Sequence, residues 1–314
     1  MAIPMRELGR TGLNVSVISL GGAALGDMYG TLSPGEAAGC VHRAIDAGVN
    51  LIDTSPFYGL TRSETVLGEA LQNGWREKVF ICTKAGRDDV ASFDFSAQNI
   101  EKSLDASLKR LGTDYVDILI AHDIEYASDF DLVFTETAAT LHRLKRHGKC
   151  RYIGMSAYPL GILKQAIERC NLDVVISYCH YTLQNDRLVT ELLPIAEQHG
   201  VGLLNASPLS MGLLTKQGPP AWHPAPPELK SACEQAAELC ASHGTDISTL
   251  GMQFCFAEPG ITSTISGTAK VHELEANLGA LESSADVELV AQVRAIFERS
   301  GTYNLSWPSG NWKE

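Results

Sequence analysis

The 314-residue sequence has no basic excess: 25 lysines and arginines stand against 37 aspartates and glutamates, a formal net charge of −12. Nucleic acid and anionic membrane surfaces both need a basic footprint, so neither is an expected partner. No apolar run is long enough to cross a bilayer. Residues 1–12 carry Arg6, Glu7 and Arg10 and no apolar stretch, so they do not read as a signal peptide. The eight cysteines never pair as C-x-x-C, and most lie in apolar or helical surroundings. That pattern suits reduced thiols in the cytoplasm better than a disulfide framework. Nine histidines occur without H-x-x-x-H or H-E-x-x-H spacing, and no metal is expected.

Hydrophobic residues make up 45% of the chain, enough for a large core. The length fits two domains or one α/β barrel. A hairpin is expected around Gly9–Gly12, at residues 5–20. Short strands are expected at 17–22, 50–53, 79–84, 116–122, 152–156, 174–177, 201–206 and 261–266. Between and after them run helical patterns at 34–47, 63–71, 96–111, 131–146, 160–169, 186–199, 228–242, 247–257, 271–278 and 287–299. The first opens on Ser33-Pro34 with Glu36 three residues on, a capping-box signal. Near-continuous apolar strands, each followed by helix, read as buried parallel strands. No G-x-G-x-x-G opens a helix behind a strand, against the doubly wound dinucleotide fold. The expectation is an α/β chain: a single-domain (β/α)8 TIM barrel over 1–314, with an N-terminal β-hairpin and a C-terminal helix plus tail.

Barrel active sites lie at the C-terminal ends of the strands. Those ends supply Asp53 and Tyr58 after strand two, Lys84 on strand three and His122-Asp123 after strand four. Ser156, Tyr178, Ser207 and Ser266-Gly267-Thr268 end the remaining strands five to eight. Singly, each polar residue has a structural reading: Asp53 a cap, Tyr58 an exposed turn residue, Lys84 a rim lysine, His122 a hydrogen-bonded strand end. Together they suit proton transfer at an alcohol or carbonyl. A phenol has a pKa of about 10, a nearby ammonium favours the phenolate, and a carboxylate holds that ammonium. A histidine beside the phenol can steer a substrate oxygen. The set offers no hydride acceptor, so redox chemistry needs a cofactor. Phe57, Tyr58, His122, Asp123, Tyr126, Trp222 and Trp307 are candidate pocket walls.

Several stretches carry a resemblance. They are Glu7–Leu13, Asp53-Thr54-Ser55-Pro56-Phe57-Tyr58-Gly59, Thr83-Lys84, Leu111–Asp117, Gly148-Lys149 and Ile153-Gly154-Met155-Ser156. They spread over nearly the whole chain, which resembles the aldo-keto reductases. The loop Gln217–Ala225, with 93–97, 122–125, 177–181 and 206–215, makes it most similar to members that oxidise aldoses such as L-galactose or L-fucose at C1. The resemblance implies Tyr58 as general acid/base, Lys84 with Asp53 lowering its pKa, and His122 orienting the C1 oxygen. It implies that Asp53, Ser156 and Tyr178 lie against the nicotinamide end of the cofactor. Ser207, Leu209, Gly212 and Leu213 would line its pyrophosphate, and Gly267, Thr268, Glu273 and Asn277 its adenosine end. The chain departs from the family in three places: Ala157 replaces an Asn, Tyr178 a Gln, and Ala206 the Tyr that stacks on nicotinamide. The aromatic platform is thus expected to move from strand seven to strand six. Glu273 stands where many NADP users place Arg, and its carboxylate repels a 2′-phosphate, so NAD is the expected cofactor. Lys270 works the other way. The expected protein is a cytoplasmic monomer or small homo-oligomer acting on a small sugar. The alternative is an NADPH-dependent reductase of aldehydes or ketones.

Overall fold

A computed structural model describes residues 2–28, 30 and 33–313. The chain opens on an antiparallel hairpin, β1 (Met5–Glu7) with β2 (Asn14–Ser16). Eight parallel strands then close a barrel. They are β3 (Ile18–Gly21), β4 (Leu51–Asp53), β5 (Phe80–Ala85), β6 (Val116–Ala121), β7 (Cys150–Ala157), β8 (Val174–Tyr178), β9 (Gly202–Ala206) and β10 (Ser263–Gly267). Closure comes from β10 pairing with both β9 and β3.

The helices are α1 (Pro34–Ala47), α2 (Arg62–Ala70), α3 (Ala97–Leu111), α4 (Phe130–Leu132), α5 (Ala138–Arg146), α6 (Leu160–Cys170), α7 (Leu193–His199), α8 (Pro227–Ser242), α9 (Ile247–Ala257), α10 (Val271–Gly279) and α11 (Val287–Arg299). The expected capping box forms at Ser33 and Glu36. Two expected helices are interrupted. A π turn at Val133–Thr137 joins α4 to α5, and another at Leu188–Leu192 precedes α7. Pro194 has no N–H to give the regular ladder, so the turn before it widens. The first slip coincides with Thr137, whose hydroxyl bonds the Phe95 carbonyl at 2.7 Å instead of serving its own helix alone. Among the described residues no helix is long and apolar enough to cross a membrane.

The hairpin plugs the bottom of the barrel. Leu8, Leu13 and Val15 join one buried cluster with Leu51, Cys82, Ile118, Ile120, Val174, Ile176, Leu204 and Ile265 from the strands. Strand side chains alternate faces with a period of two. Two residues above Leu51 is Asp53, above Cys82 Lys84, above Ile120 His122, and above Ile176 Tyr178. The same step leads from Leu204 to Ala206 and from Ile265 to Gly267. The polar rim is therefore the next inward layer of the core, set over an apolar plug.

Candidate active site

Asp53 and Lys84 are both almost fully buried, at 3% and 2% exposure. The Lys84 ammonium bonds both Asp53 oxygens at 2.7 Å and the Thr54 carbonyl at 2.8 Å. A bare buried charge is expensive, and these bonds satisfy all three ammonium hydrogens. Burial acts to lower the Lys84 pKa, but Asp53, with Tyr58 and Cys82, outweighs it, and the net shift is upward. The lysine stays charged.

That ammonium lies 4.6 Å from the centroid of the Tyr58 ring. The turn carrying Tyr58 is held by close backbone approach. Gly59 is left-handed at φ 62°, and a Cβ there would lie 2.1 Å from the Gly26 carbonyl. Only glycine fits this position. Burial raises the Tyr58 pKa, Lys84 lowers it, and Asp53 raises it again, leaving a net upward shift. Lys84 thus acts in the expected direction but is outweighed by desolvation, and the phenol holds its proton.

His122 lies one residue past β6 and meets Tyr58 edge-on, ring centroids 5.8 Å apart. Burial, then the charges of Lys84 and Arg87, hold its pKa well below the ordinary value, so the ring is neutral. Ser55 Oγ accepts from the Phe57 N–H at 3.1 Å and lies 3.1 Å from His122 Nδ1. In the tautomer where Ser55 donates to Nδ1, Nε2 carries the ring hydrogen and can donate to an oxygen next to the Tyr58 hydroxyl.

Asp123 follows in a left-handed conformation, φ 53°, and pairs with Arg87. Its backbone N–H donates to Ser156 Oγ at 3.1 Å, which leaves the Ser156 hydroxyl hydrogen for another acceptor. Phe57 lies flat under the Arg87 guanidinium at 3.6 Å and edge-on to His122 at 5.9 Å. Tyr126 stacks on Phe93 at 4.5 Å.

Trp222 is different. It is 56% exposed and stacks on His223. Trp307 is the buried tryptophan. It stacks on Tyr158 at 5.0 Å, meets His223 edge-on and donates its backbone N–H to the Tyr158 hydroxyl. The tail therefore folds across the rim, anchored further on by Asn311 N–H to the Glu125 carbonyl at 2.7 Å.

The opposite side of the rim is small. Gly21, Ala206 and Gly267 stand where the other strands carry Asp53, Lys84, His122 and Tyr178. A Cβ on Gly21 would come within 3.1 Å of Gly267 Cα. Beyond β9, Ser207, Ser210, Met211 and Gly212 are all left-handed, and the Ser210 hydroxyl is buried without a partner among the described residues. Leu209 and Leu213 belong to the same loop. Beyond β10, Thr268 Oγ1 donates to Glu273, and Asn277 Nδ2 donates to Ser266 Oγ at 3.0 Å. A flank of small residues, an unpaired Ser210 hydroxyl and a Ser156 hydroxyl that donates to no acceptor among the described residues fit a nicotinamide dinucleotide. Tyr178 ends β8 beside this flank, its hydroxyl on Glu125 at 3.1 Å.

Arg87, Ser55 and Glu125 were not marked as site residues by the sequence. A charged residue just past the apolar strand β5 was the available signal for Arg87. Glu125 has no exposure at all. One of its oxygens accepts from Tyr158 N–H, Tyr178 and Ser309, while the other is sealed without a partner. Burial and then Asp123 raise its pKa from 4.5 to about 8, against the opposing pull of those donors. The folded state thus holds a proton that the unfolded chain has released between these two values. Stability contributed by this group is present below pH 4.5, falls as pH rises toward about 8, and levels off above it. Glu125→Gln is expected to flatten that slope, read as Tm against pH for the two proteins.

A model of the aldo/keto reductase family matches residues 17–298. The chain is 44% identical to L-galactose dehydrogenase of Arabidopsis thaliana over 317 aligned positions, 98% of each chain. It is 34% identical to D-arabinose 1-dehydrogenase of Saccharomyces cerevisiae, covering 95% of this chain and 94% of that one. An aldo-keto reductase structure from Bacillus halodurans superposes with a TM-score of 0.80 at 23% identity, over 99% of this chain and 100% of that one. The chain belongs to the aldo/keto reductase family and is an NAD(P)-dependent oxidoreductase acting on CH–OH groups.

Proposed function

We propose that this protein oxidises an aldose at C1, L-galactose or a related sugar such as L-fucose, to the aldonolactone with NAD. The buried Asp53–Lys84 pair beneath Tyr58, beside a neutral His122, carries the reading. The 44% identity to an L-galactose dehydrogenase supports the choice of sugar. Bound NAD supplies the hydride acceptor. The chain does the rest. His122 Nε2 donates to the C1 oxygen and holds it against Tyr58. Tyr58, after losing its own proton to solvent, takes the C1 hydroxyl proton, and the Lys84 ammonium stabilises the phenolate that this requires. The raised Tyr58 pKa makes proton removal the demanding half of the cycle, so sugar oxidation favours alkaline conditions. The test is to supply L-galactose and NAD and trap the product with hydroxylamine. A lactone gives a hydroxamate and a free acid does not. Release of free acid alone would contradict the reading.

The preference for NAD rests on Glu273. Thr268 Oγ1 donates to it at 3.0 Å, and a carboxylate near the adenosine end would accept from a ribose hydroxyl and repel a 2′-phosphate. Lys270 lies 3.5 Å from the same carboxylate and is the feature favouring NADPH-dependent aldehyde or ketone reduction. Glu273→Arg is expected to shift the NAD-to-NADP ratio of kcat/KM toward NADP by about 10-fold or more, since one charge-assisted bond is gained and one repulsion removed. An unchanged ratio places cofactor choice elsewhere.

A further inference from the structure

We infer that Arg87 and Asp123 together form a two-point site for adjacent sugar hydroxyls, restricting the substrate to aldoses hydroxylated at C2 and its neighbour. The inference rests on the aldose reading above.

Arg87 is not placed like a surface arginine. Its guanidinium sits on Phe57 at 3.6 Å and within 5.2 Å and 5.5 Å of Phe93 and Tyr126. Three rings thus surround it, and its side chain is 15% exposed. Nη1 donates to Asp123 Oδ2, and Nε is buried without a partner. Among the described residues, neither Nη2 of Arg87 nor Oδ1 of Asp123 has a hydrogen bond in the chain, and neither is among its sealed polar atoms. One unpaired donor and one unpaired acceptor therefore stand side by side on a rigid pair.

Their place fixes what they meet. Asp123 Oδ2 is 3.6 Å from His122 Nε2, the atom that faces the reacting oxygen. A group on the carbon next to the reacting one falls beside Asp123. A ring oxygen has no hydrogen to offer a carboxylate, so the match is the C2 hydroxyl donating to Oδ1. That hydroxyl, or the next one round the ring, accepts from Nη2. A buried ion pair by itself contributes little to stability, because desolvation offsets the attraction. A pair left with one free acceptor and one free donor beside the reacting centre is better explained by what it binds.

Arg87 also bridges to Phe93 and so braces the loop between them. Bracing alone would not depend on the hydroxyls of the substrate. The test uses that difference. We would measure kcat/KM with NAD for L-galactose and 2-deoxy-L-galactose in the unmodified protein, in Arg87→Met and in Asp123→Asn. Dissociation constants for NAD, from fluorescence, report whether each barrel is intact. The unmodified protein is expected to prefer L-galactose by about 10-fold to 100-fold, the range for hydrogen bonds to charged groups. Both variants are expected to lose most of that preference, chiefly through KM for L-galactose, with NAD binding retained. Equal use of both sugars by the unmodified protein would overturn the inference without any variant. Full preference in the variants would reduce Arg87 to a loop brace and also overturn it. Oxidation of neither sugar would instead remove the aldose reading, and this site with it.

Discussion

Tyr58→Phe is expected to reduce aldose oxidation by about 1000-fold or more, within the range attributed to a positioned acid/base. The substitution removes one oxygen and leaves the ring, so the edge contact with His122 and the approach of Lys84 survive. NAD affinity should stay within a few-fold of the unmodified protein, because the small flank of the rim and the β9 loop are untouched. Stopped-flow measurement of nicotinamide reduction and fluorescence titration of NAD separate the two effects. Turnover near the original rate would show that some other group moves the proton.

The second large effect concerns the ion pair beneath Tyr58. Asp53→Ala strands a buried ammonium, and Lys84→Met strands a buried carboxylate. Each is expected to cost about 3–5 kcal/mol of stability, the usual consequence of breaking a buried pair from one side. The double variant Asp53→Asn with Lys84→Met removes both charges and should recover much of that loss in urea denaturation. It should recover no activity, because the phenolate then has no cation beside it. Stability and catalysis would move together only if the pair were purely structural. Restored activity in the double variant would therefore sink the role given to Lys84.

The barrel and the inward placement of Asp53, Lys84 and His122 were readable because both follow from local rules. Eight apolar strands with helices between them leave few architectures, and period-two alternation carries Asp53, Lys84 and His122 inward once Leu51, Cys82 and Ile120 are core. The interrupted helices were not readable, because their cause is partly tertiary. The hydroxyl of Thr137 is shared between its own helix and Phe95, a partner far along the chain. The substrate side was the least readable. Composition does not tell which tryptophan is covered: Trp222 is 56% exposed, while Trp307 from the tail is buried against Tyr158. Arg87 is remote in sequence from the ring of Tyr126 and from Asp123, and only the closed barrel brings them together. Glu125 stands beside Asp123 in the chain, but nothing local indicates that three donors converge on one of its oxygens and none on the other.

The most direct measurement is a steady-state comparison of L-galactose with NAD against a simple aldehyde with NADPH. A kcat/KM for the sugar and NAD that exceeds the aldehyde value by at least about 10-fold, with lactone as product and loss of the reaction in Tyr58→Phe, is the expected result. A larger value for the aldehyde with NADPH would contradict it and make the protein a carbonyl reductase.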